Sequence, residues 1–399
     1  MPRKRRERRE SRARRGDRRG EPSGVAVWRT QLKNLARLSA ISAISAASAA
    51  VVLAPQNATA QQIDRFTADS VIAIDTFGGE NVSGRPQMVV DVSAGVRLGA
   101  NWQVYFRPWF RKARPSTPTA AAPPWDAQLY QAGLRYERPG NVAVRVDAGQ
   151  LVSPVGLGMM DWRPNLNPTI VPHLSNVVPM PVFDPTVPRQ VPIAQAYPLG
   201  TQVTLSNTIW DARTAVVNSA PTHAWAVGAD NNPGPTPVLE AGGGITPIVG
   251  LRFGLSLAHG KYVTKEDAPR TPDGRSMTLI GGEAEYAFRY TKLSGEFERT
   301  QFETSTGTAI ASEYFVQGVQ TISARWFGAG RYEGASAPPL AVGPVVGRRT
   351  QLRMLEGTAG FRVTPAITIR SSYYARHSYT SAQWDRQVGV SLVWTQRWR

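Results

Sequence analysis

Beyond about residue 65 the hydrophobic and polar positions of the chain alternate with a period of two, segment after segment. In 141–150, Val142, Val144, Val146 and Ala148 alternate with Ala143, Arg145, Asp147 and Gly149. In 385–398, Val388, Val390, Leu392, Trp394 and Trp398 share one face with Gln396, and Gln387, Gly389, Ser391, Thr395 and Arg397 take the other. Ile367, Ile369, Ser371 and Tyr373 alternate in the same way with Thr368, Arg370, Ser372 and Tyr374. Successive side chains of a strand point to opposite sides, so each segment reads as a strand with one apolar and one polar face.

The pattern predicts strands near 66–76, 87–98, 101–111, 126–137, 141–150, 200–207, 210–218, 237–246, 250–262, 276–289, 292–303, 312–323, 324–333, 350–363, 366–378 and 385–398. Most are about as long as the 9–11 residues a tilted membrane strand needs. The joints after even-numbered strands are tight, as at Gly99-Ala100, Pro139-Gly140, Tyr290-Thr291 and Thr364-Pro365. Most joints after odd-numbered strands are longer: 77–86, 112–125, 151–199, 219–236, 263–275, 304–311, 334–349 and 379–384.

Short turns on one side and long loops on the other, through an even strand count, are the layout of an outer-membrane barrel. Closure also satisfies every backbone N–H and C=O in lipid. The expected fold class is all-β: a transmembrane antiparallel β-barrel of about 16 strands, with an inward-folded long loop between strands 5 and 6. No stretch of 61–399 approaches the length of apolar run that a membrane helix requires. Trp102, Tyr136, Trp210, Phe288, Tyr290 and Trp398 fall near the short-turn ends, and Phe77, Trp109, Phe110, Trp125, Tyr262, Tyr332, Tyr379 and Trp384 near the long-loop ends. Two interfacial girdles produce that distribution, as does a plain preference of aromatics for strands.

The 151–199 connection is the longest. It carries Met159, Met160, Trp162, Leu166, Ile170, Val171, Leu174, Val177, Val178, Met180 and Phe183, interleaved with ten prolines. A segment this apolar needs something to pack against, and in a barrel the lumen is the available shelter. It is therefore expected to fold inward and narrow the channel.

Charge alters the picture at the N-terminus. The chain has 46 Lys+Arg against 29 Asp+Glu, a formal +17, which by itself suggests nucleic acid or an anionic surface. Residues 1–60 hold 14 of the bases and 4 of the acids, so they carry +10 and the remaining 339 residues +7. The basic stretch 3–19 leads to the charge-free run 38–54 and then to Ala58-Thr59-Ala60. That order predicts a secretory signal peptide over 1–60 with a long basic n-region, cleaved between Ala60 and Gln61, and a barrel over 61–399. A basic nucleic-acid arm is the competing reading of 3–19; with the export pattern beside it, no nucleic-acid partner is expected. The absence of cysteine excludes a disulfide scaffold and Cys-ligated metal centres, and the four histidines have no metal-ligand spacing. No cofactor and no metal site are expected.

With the apolar sets facing lipid, the other parity turns inward. It carries Arg107, Arg111, Arg135, Arg145, Arg252, Arg325, Arg331, Arg362, Arg370 and Arg376 as pore-lining candidates, with the acids Asp147, Glu283, Glu285, Glu296, Glu298 and Glu356. Asp161, Arg163, Asp184 and Arg189 are the candidates on the constriction loop. A guanidinium is always charged and makes a permanent positive wall, and facing acids set up a field across the opening. These residues equally suit ion pairing that stiffens the wall. Mild anion preference is the expectation.

Gly149-Gln150-Leu151-Val152-Ser153-Pro154-Val155-Gly156 with Asn167-Pro168, together with Arg331-Tyr332-Glu333 and the 314–325 strand pair, is similar to the phosphate-selective porin O and P family within the 16-stranded porins. The resemblance implies an outer-membrane, trimeric channel for passive diffusion of small hydrophilic solutes, in contact with outer-membrane lipid and lipopolysaccharide. It also implies that the loop between strands 5 and 6 constricts the pore. The lysine cluster of phosphate-selective members is missing, since the exported part holds only Lys112, Lys261, Lys265 and Lys292. A structural or adhesive barrel is one alternative and a hydrolytic barrel another. For the latter, Ser256 with His259 or Ser372 with His377 are the available pairs, but there is no Gly-x-Ser-x-Gly elbow, and no enzyme activity is expected.

Overall fold

The computed structural model describes residues 65–79, 84–114, 121, 123–157, 163–173, 180–184, 187–191, 197–218, 237–263, 274–305, 307–336, 351–377 and 383–398. The expected signal peptide lies outside them. Eighteen strands form: β1 (Phe66–Gly78), β2 (Gln87–Arg97), β3 (Trp102–Lys112), β4 (Trp125–Arg138), β5 (Ala143–Gln150), β6 (Met180–Asp184), β7 (Val187–Val191), β8 (Leu199–Ser206), β9 (Trp210–Val217), β10 (Val238–Ile248), β11 (Leu251–Val263), β12 (Arg275–Phe288), β13 (Thr291–Thr304), β14 (Gly307–Thr321), β15 (Trp326–Ser336), β16 (Gln351–Arg362), β17 (Ile367–His377) and β18 (Trp384–Trp398). Sixteen of them close into an antiparallel barrel, each paired with its neighbours in chain order, with β5 against β8 and β18 closing on β1. The short β6–β7 hairpin lies within the long connection and pairs only with itself.

Closure decides what the two strand faces mean. On β11, Phe253, Leu255 and Leu257 are exposed while Ser256 and Ala258 are buried; on β18, Val388, Val390 and Leu392 are exposed while Gln387, Ser391 and Val393 are buried. Apolar side chains point out and polar ones point in, the reverse of a water-soluble protein and the arrangement a hydrocarbon surround requires. The closing seam places Trp398 opposite Ala68, and the Trp398 indole N–H donates to Ser70 Oγ at 3.2 Å.

The largest departures from the alternation pattern are at β14 and β15. The 304–311 segment, expected as a loop, is a tight hairpin: β14 begins at Gly307, whose φ is +129°, and Thr304 Oγ1 donates to the Gly307 carbonyl at 2.7 Å. Glycine alone adopts that backbone comfortably. The next turn is held by the Ser323 side chain, which accepts from the Arg325 and Trp326 amides at 3.3 and 3.1 Å. β15 accordingly starts at Trp326 rather than 324 and runs on to Ser336.

Part of the inner face is apolar. Ala215, Val217, Val238, Ala258, Tyr262, Met277, Leu279, Phe302 and Ala311 form one buried cluster toward the long-connection ends of β9–β14, and Leu151 and Val155 pack into it. A second cluster joins Ile170 to Phe77, Leu352, Met354 and Tyr374. Both contain residues from the 151–198 connection, Leu151 and Val155 in the first and Ile170 in the second.

Candidate functional site

The inner wall and the connection that lies against it form the site. The first leg of the connection meets β10, β11 and β13. Ser153 Oγ donates to Glu240 Oε2 at 3.1 Å, the Gly156 amide to Ser256 Oγ at 3.1 Å, and the Leu157 amide to Glu296 Oε2 at 2.5 Å. Gly156 has φ +73°, and a Cβ there would stand 2.1 Å from Glu296 Oε1. Only glycine allows the backbone to turn this close to the carboxylate.

The second leg, 163–173, reaches the other side. Arg163 pairs with Asp69 on β1 and, at 3.0 Å, with Asp91 on β2, which Arg107 also holds at 2.7 Å. Arg370 on β17 donates through Nη1 to the carbonyls of Pro164, Asn167 and Thr169 at 3.1, 2.6 and 2.7 Å, and through Nη2 to Ser391 Oγ at 2.9 Å. Asn167 Oδ1 accepts from the Thr169 amide and hydroxyl, and Asn167 Nδ2 donates to the Val171 carbonyl, which locks the turn from within. Glu356 on β16 accepts from the Ile170 and Val171 amides at 2.8 and 3.2 Å. Its second oxygen pairs with Arg331 at 3.2 Å, and Arg331 donates to the Val171 carbonyl. His173 Nδ1 meets Glu333 at 2.9 Å.

On the return to β8, Tyr197 stacks on Tyr130, which stacks on Trp109, with ring centroids 4.3 and 4.9 Å apart. Burial pushes the Tyr197 phenol up from its usual range.

Several predicted residues stay on the water side of this face. Arg135 and Arg145 share Asp147 at 2.7 and 2.5 Å. Arg252 bridges Asp211 at 3.0 Å and Glu283. It lies across Gly244, where a Cβ would come within 2.7 Å of its guanidinium. Arg111 stands over the Trp109 ring, and Arg376 lies 3.9 Å from Asp385. Arg362 sits over the Phe327 ring at 4.9 Å.

Others are placed differently. Arg325 is in the exposed turn between β14 and β15, off the strands, because the Ser323-centred turn extends to it. Arg331 and Arg370 are buried beneath the connection, so their charge is spent on backbone carbonyls and, for Arg331, on Glu333 and Glu356. Asp161 lies outside the described residues. For Asp184 and Arg189 the backbone alone is described, in β6 and β7. The acids Asp147, Glu283, Glu285, Glu296, Glu298 and Glu356 share the inward parity of their strands.

The alternation pattern did not single out Asp69, Asp91, Asn167, His173, Glu240, Glu333 or Arg213, whose guanidinium lies 3.7 Å from Glu283. Asp69, Asp91, Arg213 and Glu240 keep the inward parity of β1, β2, β9 and β10, so alternation carried the signal. The roles of Asn167 and His173 depend on the path of the connection. The two Ser–His pairs do not assemble. Ser256 and Ser372 face inward, the latter bonded to Thr358 at 2.5 Å. His259 and His377 lie on the outward face, against Thr278 and Trp384.

Solved structures share this architecture. OprB of Pseudomonas putida matches at a TM-score of 0.55 and 12% identity, over 84% of this chain and 94% of that one. The fold is that of the outer-membrane porins. An anion-selective porin from Comamonas acidovorans matches at 0.51 and 10% identity, covering 84% and 99% of the two chains. OmpF of Salmonella typhi, in complex with daunomycin, matches at 0.51 and 11% identity, over 83% and 97%. No family model and no curated protein sequence matches the chain. The porin fold here is carried by barrel closure, strand parity and length at an identity too low to transfer any residue's role.

Proposed function

We propose that the chain is an outer-membrane porin, a water-filled channel for passive diffusion of small hydrophilic solutes, with the 151–198 connection as its constriction. The observation that carries this is the closed barrel with an outward apolar set and a polar inner face, to which both legs of the connection are bonded. A structural or adhesive barrel also has a polar inner face, and conductance is the property that separates it from a channel.

We also propose mild anion preference. Among described residues, nine carboxylates are buried, Asp75, Asp91, Asp147, Glu240, Glu283, Glu298, Glu313, Glu333 and Glu356, against two guanidiniums, Arg331 and Arg370. Arg111, Arg135, Arg145, Arg252 and Arg376 stay accessible to water. Asp126 and Asp385 are as accessible as their partners Arg111 and Arg376, so the weighting toward arginine rests on Arg135, Arg145 and Arg252, whose partners Asp147 and Glu283 are buried. Phosphate specificity, the finer reading of the family resemblance, has no lysine cluster to support it.

The signal peptide over 1–60, the outer-membrane location and a homotrimer in contact with lipopolysaccharide belong to the same proposal. Purified protein in a planar bilayer under a KCl gradient tests it. Stepwise conductance with an anion-side reversal potential is expected. Absence of conductance overturns the channel, and cation selectivity overturns the anion preference.

A further inference from the structure

The outward face is apolar through its middle, but toward the long-connection ends of β13–β18 three arginines stand on it. Arg299 lies two residues from the exposed Phe297, Arg353 two from Leu355, and Arg386 two from Val388, so all three share the lipid-facing parity. Each is itself exposed. Among the described residues none is paired with a carboxylate. Arg353 donates to Gln351 Oε1 at 2.9 Å. Glu303, the described carboxylate on the same outward end, accepts from the Ser276 amide instead.

The register places these groups side by side. Arg353 is opposite His377, which is opposite Trp384, and Arg386 is opposite Ala375, one pleat further from the loops. Neighbouring strands are about 4.8 Å apart, so Arg353 and Arg386, with β17 between them, are separated laterally by roughly 10 Å. Tyr314 lies across Gly334, beside Arg353 in register, with Tyr332 next to it at 5.9 Å between centroids. A cation above an aromatic row is the composition of a headgroup-level band. A guanidinium facing lipid without a protein counter-ion is costly in hydrocarbon and stabilised beside a phosphate.

We propose that Arg353 and Arg386, flanked by Arg299, hold the phosphate groups of a phosphorylated glycolipid packed against the outside of the barrel at β13–β18. The spacing of Arg353 and Arg386 suits two phosphates on one sugar headgroup better than one phosphate held by both. The inference rests on the outer-membrane reading and adds the place and chemistry of a lipid contact.

The test uses the barrel folded into neutral phosphatidylcholine vesicles, doped with diphosphoryl lipid A, with the same lipid after phosphate removal, or with phosphatidylglycerol. The readout is the temperature at which the folded electrophoretic band converts to the unfolded one. Diphosphoryl lipid A is expected to raise it by several degrees, with the other two lipids giving no comparable rise, and R353Q/R386Q is expected to lose most of the rise. An equal rise with dephosphorylated lipid or with phosphatidylglycerol overturns the proposal, as does an undiminished rise in the double variant. Should R353Q/R386Q fail to fold, the wild-type comparison of the three lipids still decides. Conductance measured on the same preparations separates the two readings: a conducting barrel without the lipid-specific rise loses only this inference, and the reverse loses only the channel.

Discussion

Arg331 and Glu356 stand directly opposite each other on β15 and β16, both fully buried, and together they hold the Ile170–Val171 peptide of the connection. The pair lies on the inner face, shielded from solvent. Its charges are stabilised by each other, by Glu333 at 2.6 Å from Arg331, by two backbone amides and by one carbonyl. Removing Glu356 leaves Arg331 buried with Glu333 as its remaining counter-ion, and breaking one arm of such a buried network costs up to about 3–5 kcal/mol.

Glu356→Gln is therefore expected to release the second leg of the connection while the barrel still closes, because the wall strands keep their own ladders. Single-channel recording is expected to show higher and noisier conductance than wild type. Unchanged conductance would mean that this leg does not limit the opening.

Gly156→Val acts on the first leg. The positive φ and the contact with Glu296 both oppose a side chain there, at a cost of about 1–3 kcal/mol from backbone strain alone. The expected outcome is new protease cleavage within the connection of the folded barrel, mapped by mass spectrometry, with the wild type resistant at the same sites.

Replacing Arg135 and Arg145 by Gln leaves Asp147 without its two partners and reverses the local sign of the wall. The reversal potential under a KCl gradient is expected to move toward the cation side. The difference from wild type is expected to shrink between 0.1 M and 1 M salt, as the screening length falls from about 10 Å to about 3 Å.

Tyr197 supplies a pH dependence. Burial raises its phenol above the ordinary value, so the folded state keeps a proton that the unfolded state releases. Its contribution to stability is fully present below the ordinary tyrosine range, near pH 10, and is lost as pH rises toward the folded value. In denaturant titrations Tyr197→Phe is expected to flatten the alkaline loss of stability relative to wild type. An unchanged slope would remove Tyr197 from the account.

The barrel was legible because period-two alternation and turn parity are local properties. Strands such as β5 and β18 announce themselves in ten residues. The 304–311 hairpin was not legible, because a small-residue segment such as Ser305-Thr306-Gly307-Thr308 reads equally as loop or as strand. Pore-lining arginines were recoverable by parity but not by role, since Arg370 and Arg145 have the same pattern signal and differ only in what lies above them.

What this sequence determined by itself is which side of each strand faces lipid and where the chain turns, because those follow from the apolar spacing. Only the tertiary structure decided which charges remain available to a solute. The two described legs of the connection consume Arg331, Arg370, Glu356 and Glu240, and they leave Arg135, Arg145 and Arg252 in reach of water. That partition depends on contacts between residues as far apart as Ile170 and Glu356, which no local period encodes.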